Sequence, residues 1–146
     1  MCGFSGIISL KSKIANYEKF SKIMIDSLSH RGPDSNGKYL DENKGIIFTH
    51  NRLSILDLTN EGNQPMFSKC KNFLILFNGE IYNHLDIRNE IGNNHDWSGT
   101  SDTETLLYCL KNFGLEKTFE KIRGMFCFAF YDFKKGKIFL ARDFAG

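Results

Sequence analysis

Cys2 follows the initiator Met1, so removal of Met1 leaves a residue that carries a thiol and a free α-amine together. An α-amine titrates at about 7.7–8.0 and a cysteine thiol at about 8.5, so near neutral pH one can take the other's proton. A nucleophile and its general base then share one residue. Cysteine is small enough for such trimming, whereas a retained Met1 would lock the amine in a peptide bond and disable the pair. The other cysteines, Cys70, Cys109 and Cys127, form no CxxC pair, which argues against a zinc site. They read as reduced core or surface thiols in a cytoplasmic protein, not as a disulfide framework. No phosphate loop of the GxxxxGK[ST] type occurs, and no metal-ligating constellation is visible.

The elements that must hold Cys2 in place can be read coarsely. Residues 3–10 form a short apolar strand with Cys2 at its start. Tyr17 to Leu28 puts Phe20, Ile23, Met24 and Leu28 at helical spacing, an amphipathic helix for packing on a sheet. The stretch from His30 to Gly37 is dense in turn formers and reads as a loop. Gly45 to Leu53 reads as a strand. Phe73-Leu74-Ile75-Leu76-Phe77 reads as a strand buried on both faces, stopping at Asn78-Gly79. A short helix follows over 83–91. Ser101-x-x-Glu104 is a capping box that opens a helix from Asp102 to about Asn112, with a second short helix over 115–122. Met125 to Asp132 and Ile138 to Ala141 are strands joined by the turn Phe133-Lys134-Lys135-Gly136. Hairpins and helices without strict βαβ alternation give an α+β fold class.

The bulk properties exclude several partners. A hydrophobic content of 41% and a charged content of 25% are those of an ordinary globular domain. The net charge of +2 comes from scattered basic residues and does not suggest nucleic acid or an anionic membrane. No apolar run reaches the ~20 residues that a membrane span needs, and no targeting segment is evident.

Met1-Cys2-Gly3, His30-Arg31-Gly32-Pro33-Asp34-Ser35-x-Gly37, Asn51-Arg52-Leu53-Ser54-Ile55-Leu56-Asp57, Gln64-Pro65-Met66, Asn78-Gly79-Glu80-Ile81-Tyr82-Asn83 and Ser101-Asp102-Thr103-Glu104 occur in that order. Taken together, they resemble the glutaminase domain of asparagine synthetases, a branch of the class II glutamine amidotransferases. The resemblance runs from residue 1 to residue 146. Glucosamine-6-phosphate synthases fit less well, having Arg-Trp-Ala-Thr where this chain has Arg52-Leu53-Ser54-Ile55.

The resemblance implies roles for particular residues. Cys2 would attack the side-chain amide of glutamine, with the Cys2 amine moving the proton to departing ammonia. The Asn78 side chain and the Gly79 N–H would form the oxyanion hole, where loss of one donor typically costs about 10²–10³ in rate. Arg52 would grip the substrate α-carboxylate, which a planar guanidinium suits. Asp102 would hold the α-ammonium, with Glu80 beside it, and Leu53 and Ile55 complete the glutamine site. A helix N-terminus would keep Asp102 ionised. Alone, each has a plainer reading: Asn78-Gly79 as a hairpin turn, Arg52 as a surface arginine, Asp102 as an ordinary helix-start carboxylate. His30, in its turn-forming loop, reads as part of a gate or support and not as the base.

The implied fold is the N-terminal nucleophile αββα four-layer sandwich with two antiparallel β-sheets. Residues 1–146 would be a type 2 glutamine amidotransferase domain, incomplete at its C-terminus because such sequences run on past Arg142-Asp143-x-x-Gly146. No cofactor is expected in this domain. ATP and Mg²⁺ belong to the absent synthetase domain, the expected partner, which makes asparagine from aspartate. The resemblance also leaves room for a homodimer. Two other readings remain open: the same glutaminase feeding a sugar or secondary-metabolite acceptor, and a catalytically silent binding module of the same fold.

Overall fold

The structure, a computed structural model, describes residues 2–10 and 14–145. Met1, on which the freeing of the Cys2 amine depends, lies outside the described residues, as does Gly146.

Among the described residues, seven strands form two antiparallel sheets. In the first, β1 (Gly3–Ile8), β3 (Ile46–Arg52) and β2 (Ser35–Asp41) lie in the order β1-β3-β2. In the second, β4 (Met66–Phe67), β5 (Phe73–Ile81), β6 (Gly124–Asp132) and β7 (Lys137–Arg142) lie in sequence order. Helix α1 (Tyr17–Leu28) packs on the first sheet, and α2 (His84–Ile91) and α3 (Asp102–Lys121) cover the second. The layers are therefore α1, sheet, sheet, α2 with α3, which is the expected αββα sandwich.

The alternation of β5 explains why its apolar run is unbroken. Leu74 and Leu76 point between the sheets, where they meet Ile46, Phe48, Ala129 and Tyr131. Ile75 and Phe77 point the other way, onto Leu106, Leu110, Phe128 and Phe130 beneath α3. Both faces are dry, and burying each such side chain is worth about 1.5–3 kcal/mol. Helix α3 opens on Ser101, whose hydroxyl accepts the Glu104 N–H. Gly114, at φ +78°, breaks it into the two segments expected from the sequence. Among the described residues, no helix is long and apolar enough to cross a membrane.

Three expectations about elements are corrected. Ser35-Asn36-Gly37 is not loop but the start of β2, whose whole length pairs with β3 from Ser35 opposite Arg52 to Asp41 opposite Ile46. Its pairing groups are backbone, so turn-forming side chains did not prevent a strand. On α1 the buried face is Tyr17 and Ser21, while Phe20 and Ile23 are exposed. The small Ser21 lets the helix lie close to β3, and the Asn51 side chain donates to the Ile25 carbonyl at 3.1 Å. Finally, β5 does not stop at Asn78-Gly79. It continues to Ile81, with Asn78 opposite Cys127 and Gly79 opposite Phe126.

Candidate active site

Residues from both sheets and from the start of α3 face a common cleft. Cys2, Arg52, Leu53, Ile55, Asn78, Gly79, Glu80 and Asp102 all line it, although they come from β1, β3, β5, α3 and the loops between.

Pairing of Gly3 with Asn51 sets Cys2 beside the end of β3. The Leu53 N–H donates to the Cys2 sulfur at 3.3 Å, and the sulfur lies 3.5 Å from the Leu53 carbonyl oxygen. The Cys2 carbonyl accepts from Arg31 Nε at 3.0 Å. Asp34 adds to this support, its carboxylate accepting the Ser54 N–H at 2.7 Å and its own N–H donating to the Arg52 carbonyl at 3.0 Å. The His30–Asp34 loop thus props both Cys2 and the Arg52–Ser54 segment. His30 itself is exposed and outside the cleft lining.

Arg52 is no surface arginine, being only 7% exposed. Its guanidinium donates to the Thr59 carbonyl at 2.7 Å and to Asn63 Oδ1 at 2.9 Å, and also to the Asp57 carbonyl. The 57–63 loop therefore wraps it, and Gly62 is required there because an added Cβ would strike the guanidinium. Asp57 anchors the same loop. Its carboxylate accepts from the Thr59 hydroxyl at 2.6 Å, the Thr100 N–H at 2.7 Å and the Thr59 N–H at 2.8 Å, and its pKa falls to about 2 because these bonds outweigh the cost of desolvation.

On β5, the Asn78 Oδ1 is buried with no hydrogen-bond partner, while the residue lines the cleft. Glycine at 79 serves the pairing of two strands. A Cβ there would collide with the Met125 carbonyl and the Phe126 Cα on β6, so Gly79 lets the two strands pair beside Asn78.

Asp102 starts α3 and is 5% exposed. Its Oδ2 accepts the Ile81 N–H at 2.8 Å. The helix start was expected to keep this carboxylate ionised. Instead burial dominates and raises its pKa to about 6, with Glu80 adding and the Ile81 and Thr103 N–H groups opposing. The approach to Asp102 is held by Arg88, whose guanidinium donates to Thr105 Oγ1, the Gly99 carbonyl and the Ser101 carbonyl, each at 2.7 Å. Glu104 does not close the capping box on Ser101. Its carboxylate accepts the Ser98 and Gly99 N–H groups at 2.9 and 3.0 Å instead.

Of the remaining cysteines, Cys109 is buried and Cys70 and Cys127 are exposed, none lining the cleft. Among the described residues, no three His, Cys, Asp or Glu side chains are grouped to hold a metal ion. Sequence reading passed over Gln64, His50 and Asp57 as individual side chains. Gln64 and Asp57 line the cleft, and His50 lies fully buried beneath it.

Cys2 thus heads a strand of a two-sheet sandwich and faces the cleft. The chain belongs to the glutamine amidotransferase domain family, whose model matches residues 1–146. It is 36% identical over 146 residues to asparagine synthetase B (glutamine-hydrolyzing) of Escherichia coli strain K12, covering 100% of this chain and 26% of that protein. It is 38% identical to asparagine synthetase (glutamine-hydrolyzing) 1 of Bacillus subtilis strain 168, over 98% of this chain and 22% of that one. A fungal relative, amidase chry2 of Gibberella zeae, is 30% identical over 98% of this chain and 22% of its own length. The chain thus spans roughly a quarter of these curated relatives, at 26%, 22% and 22%.

Proposed function

We propose that this domain hydrolyses the side-chain amide of glutamine to glutamate and ammonia, with Cys2 as nucleophile. Removal of Met1 frees the Cys2 amine, which takes the thiol proton. The thiolate attacks the amide carbon, and the oxyanion is held by Asn78 and the Gly79 N–H. As the C–N bond breaks, the amine passes its proton to the leaving nitrogen, ammonia departs and a γ-glutamyl thioester remains. Water then attacks the thioester while the amine accepts its proton. The C–S bond breaks, the thiol reforms and glutamate leaves. Arg52 grips the α-carboxylate, and Asp102 with Glu80 grips the α-ammonium. Leu53 and Ile55 flank the aliphatic chain.

The observation that carries this reading is the convergence of Cys2, buried Arg52, Asn78-Gly79 and buried Asp102 on one cleft. Burial makes this convergence costly. A carboxylate raised to about 6 costs stability at neutral pH, which suits a group whose partner is an incoming cation.

The ammonia is proposed to pass to a synthetase partner that forms asparagine from aspartate, and use of ATP and Mg²⁺ is assigned to that partner. The names of the two bacterial relatives support this acceptor. A second reading is favoured by one observation, that a relative named as an amidase covers 98% of the same chain. In that reading the same ammonia reaches a different acceptor.

Two measurements test the glutaminase reading. Intact mass establishes whether Met1 is removed, and ammonia release from glutamine is compared between the wild type and Cys2→Ala. The expected result is a processed chain whose ammonia release vanishes in the variant. A processed wild type that releases no ammonia would support a silent module instead.

A further inference from the structure

Gln64 is buried, and both ends of its side-chain amide are engaged by two elements that line the cleft. Its Oε1 accepts the Phe77 N–H at 2.6 Å. Its Nε2 donates to Thr103 Oγ1 at 3.4 Å. The amide orientation follows from chemistry, because an N–H facing the side chain requires the oxygen end. Phe77 immediately precedes Asn78, and Thr103 immediately follows Asp102. The bond to Phe77 spans 13 residues of chain and the bond to Thr103 spans 39. One side chain therefore joins the strand that presents the carbonyl-end donors to the helix that presents the ammonium-end carboxylate.

The Phe77 peptide groups are fixed from a second side as well. The Phe77 carbonyl accepts from His50 Nε2 at 3.1 Å, so a second bond ties this part of β5 to β3 of the first sheet. Gln64 is itself held from behind, since an added Cβ on Gly37 would strike its backbone carbonyl. A buried amide with both ends satisfied has a single favourable rotamer, and losing either partner leaves a polar group unpaired in the interior.

We propose that Gln64 is a positioning residue that fixes the span between the oxyanion donors on β5 and the ammonium grip on α3, and so selects a substrate of glutamine length over one a methylene shorter. The inference rests on the proposed glutaminase reading. Gln64 acts through Phe77 and Thr103 and takes no part in bond making. Discrimination of one methylene by a shaped pocket is worth about 10–200-fold, so the span has a measurable consequence.

The test uses the full chain and two probes, the diazo-ketone amino acid of glutamine length and its counterpart shorter by one methylene. The readout is the ratio of their rates of alkylation at Cys2, followed by intact mass. Gln64→Met keeps side-chain length and removes both hydrogen bonds. Thr103→Val removes only the second bond at nearly constant shape, and Thr103→Ser restores the hydroxyl. The expected result is a ratio at least tenfold lower in Gln64→Met and Thr103→Val, and near wild type in Thr103→Ser. A merely structural role would lower the melting temperature and leave the ratio alone. A ratio within twofold of wild type in Thr103→Val overturns the inference, whether or not Gln64→Met folds. A processed wild type that is labelled by neither probe sinks the glutaminase reading and this inference with it.

Discussion

The Ile81 N–H donates to Asp102 Oδ2 at 2.8 Å, joining the last residue of β5 to the first of α3. This single bond helps keep a buried carboxylate at the cleft wall, yet burial still raises its pKa from 3.8 to about 6. A carboxylate raised in the folded state favours folding most below its unfolded pKa. That contribution is lost as pH rises through about 6. Asp102→Asn keeps an acceptor for Ile81 and removes the charge. At pH 7.5 the variant is expected to be more stable than wild type by roughly 2–3 kcal/mol, from about 1.36 kcal/mol per pKa unit. The advantage should shrink toward zero near pH 4. Urea unfolding at both pH values measures this, and a constant difference would contradict it. Glutamine KM should rise at least tenfold in the same variant.

Asn78→Ala removes a side-chain donor proposed to act only as charge develops on oxygen. The expected outcome is a kcat lower by about 10²–10³ with KM for glutamine within a few-fold of wild type. Gly79→Ala should behave differently. Its new Cβ meets the Met125 carbonyl on β6, so soluble yield and melting temperature should fall together. A stable, soluble Gly79→Ala protein would count against the close strand approach as the reason for glycine.

Arg52→Lys tests whether the guanidinium geometry matters. Lysine offers a point charge that cannot serve the Thr59 carbonyl, Asn63 and a substrate carboxylate in one plane. Hydrogen bonds involving charged groups are worth about 1.5–3 kcal/mol, so KM for glutamine should rise by about 10–150-fold. Steady-state kinetics decide the matter, and an unchanged KM would remove Arg52 from the carboxylate grip.

His50 gives a pH dependence of opposite sign to that of Asp102. Burial lowers its pKa from 6.5 to about 4, Arg52 adding to the effect and the Phe77 carbonyl opposing it. A histidine lowered in the folded state stabilises above its unfolded pKa. That contribution is lost as pH falls from 6.5 toward 4, roughly 3 kcal/mol in all. Over the same range Asp102 gains about as much, so the two nearly cancel in wild type. His50→Gln can keep a donor for Phe77 and should grow more stable as pH falls from 6.5 to 4. Asp102→Asn should grow less stable over that range. Parallel slopes in the two variants would refute this opposition.

What was legible in the sequence depended on how local its cause was. The β5 run, the β6–β7 turn and the break near Gly114 follow from residues within a few positions of each other. Asn78-Gly79 misled because that pair commonly ends strands, whereas here glycine serves a partner strand more than 40 residues away, at Met125. Phe20 and Ile23 had helical spacing, but the close seat of Ser21 on β3 turned them outward. The eight residues singled out by the ordered motifs meet in one cleft. Gln64 stood inside one of those motifs, yet its partners at 77 and 103 become visible only in the folded chain.

Strand β3 is buried at every one of its seven positions, apolar from Ile46 to Phe48 and polar from Thr49 to Arg52. Its composition changes where the space between the sheets gives way to the region under the cleft. A designer who wished to retune this domain would find no silent position along that strand. Every replacement would disturb either the packed interior or the hydrogen bonds behind the site. Room for variation lies in the flanking loops, where Leu58 is 79% exposed and outside the cleft lining. Divergence in substrate or partner is therefore expected to accumulate at the rim, while the strand beneath stays fixed.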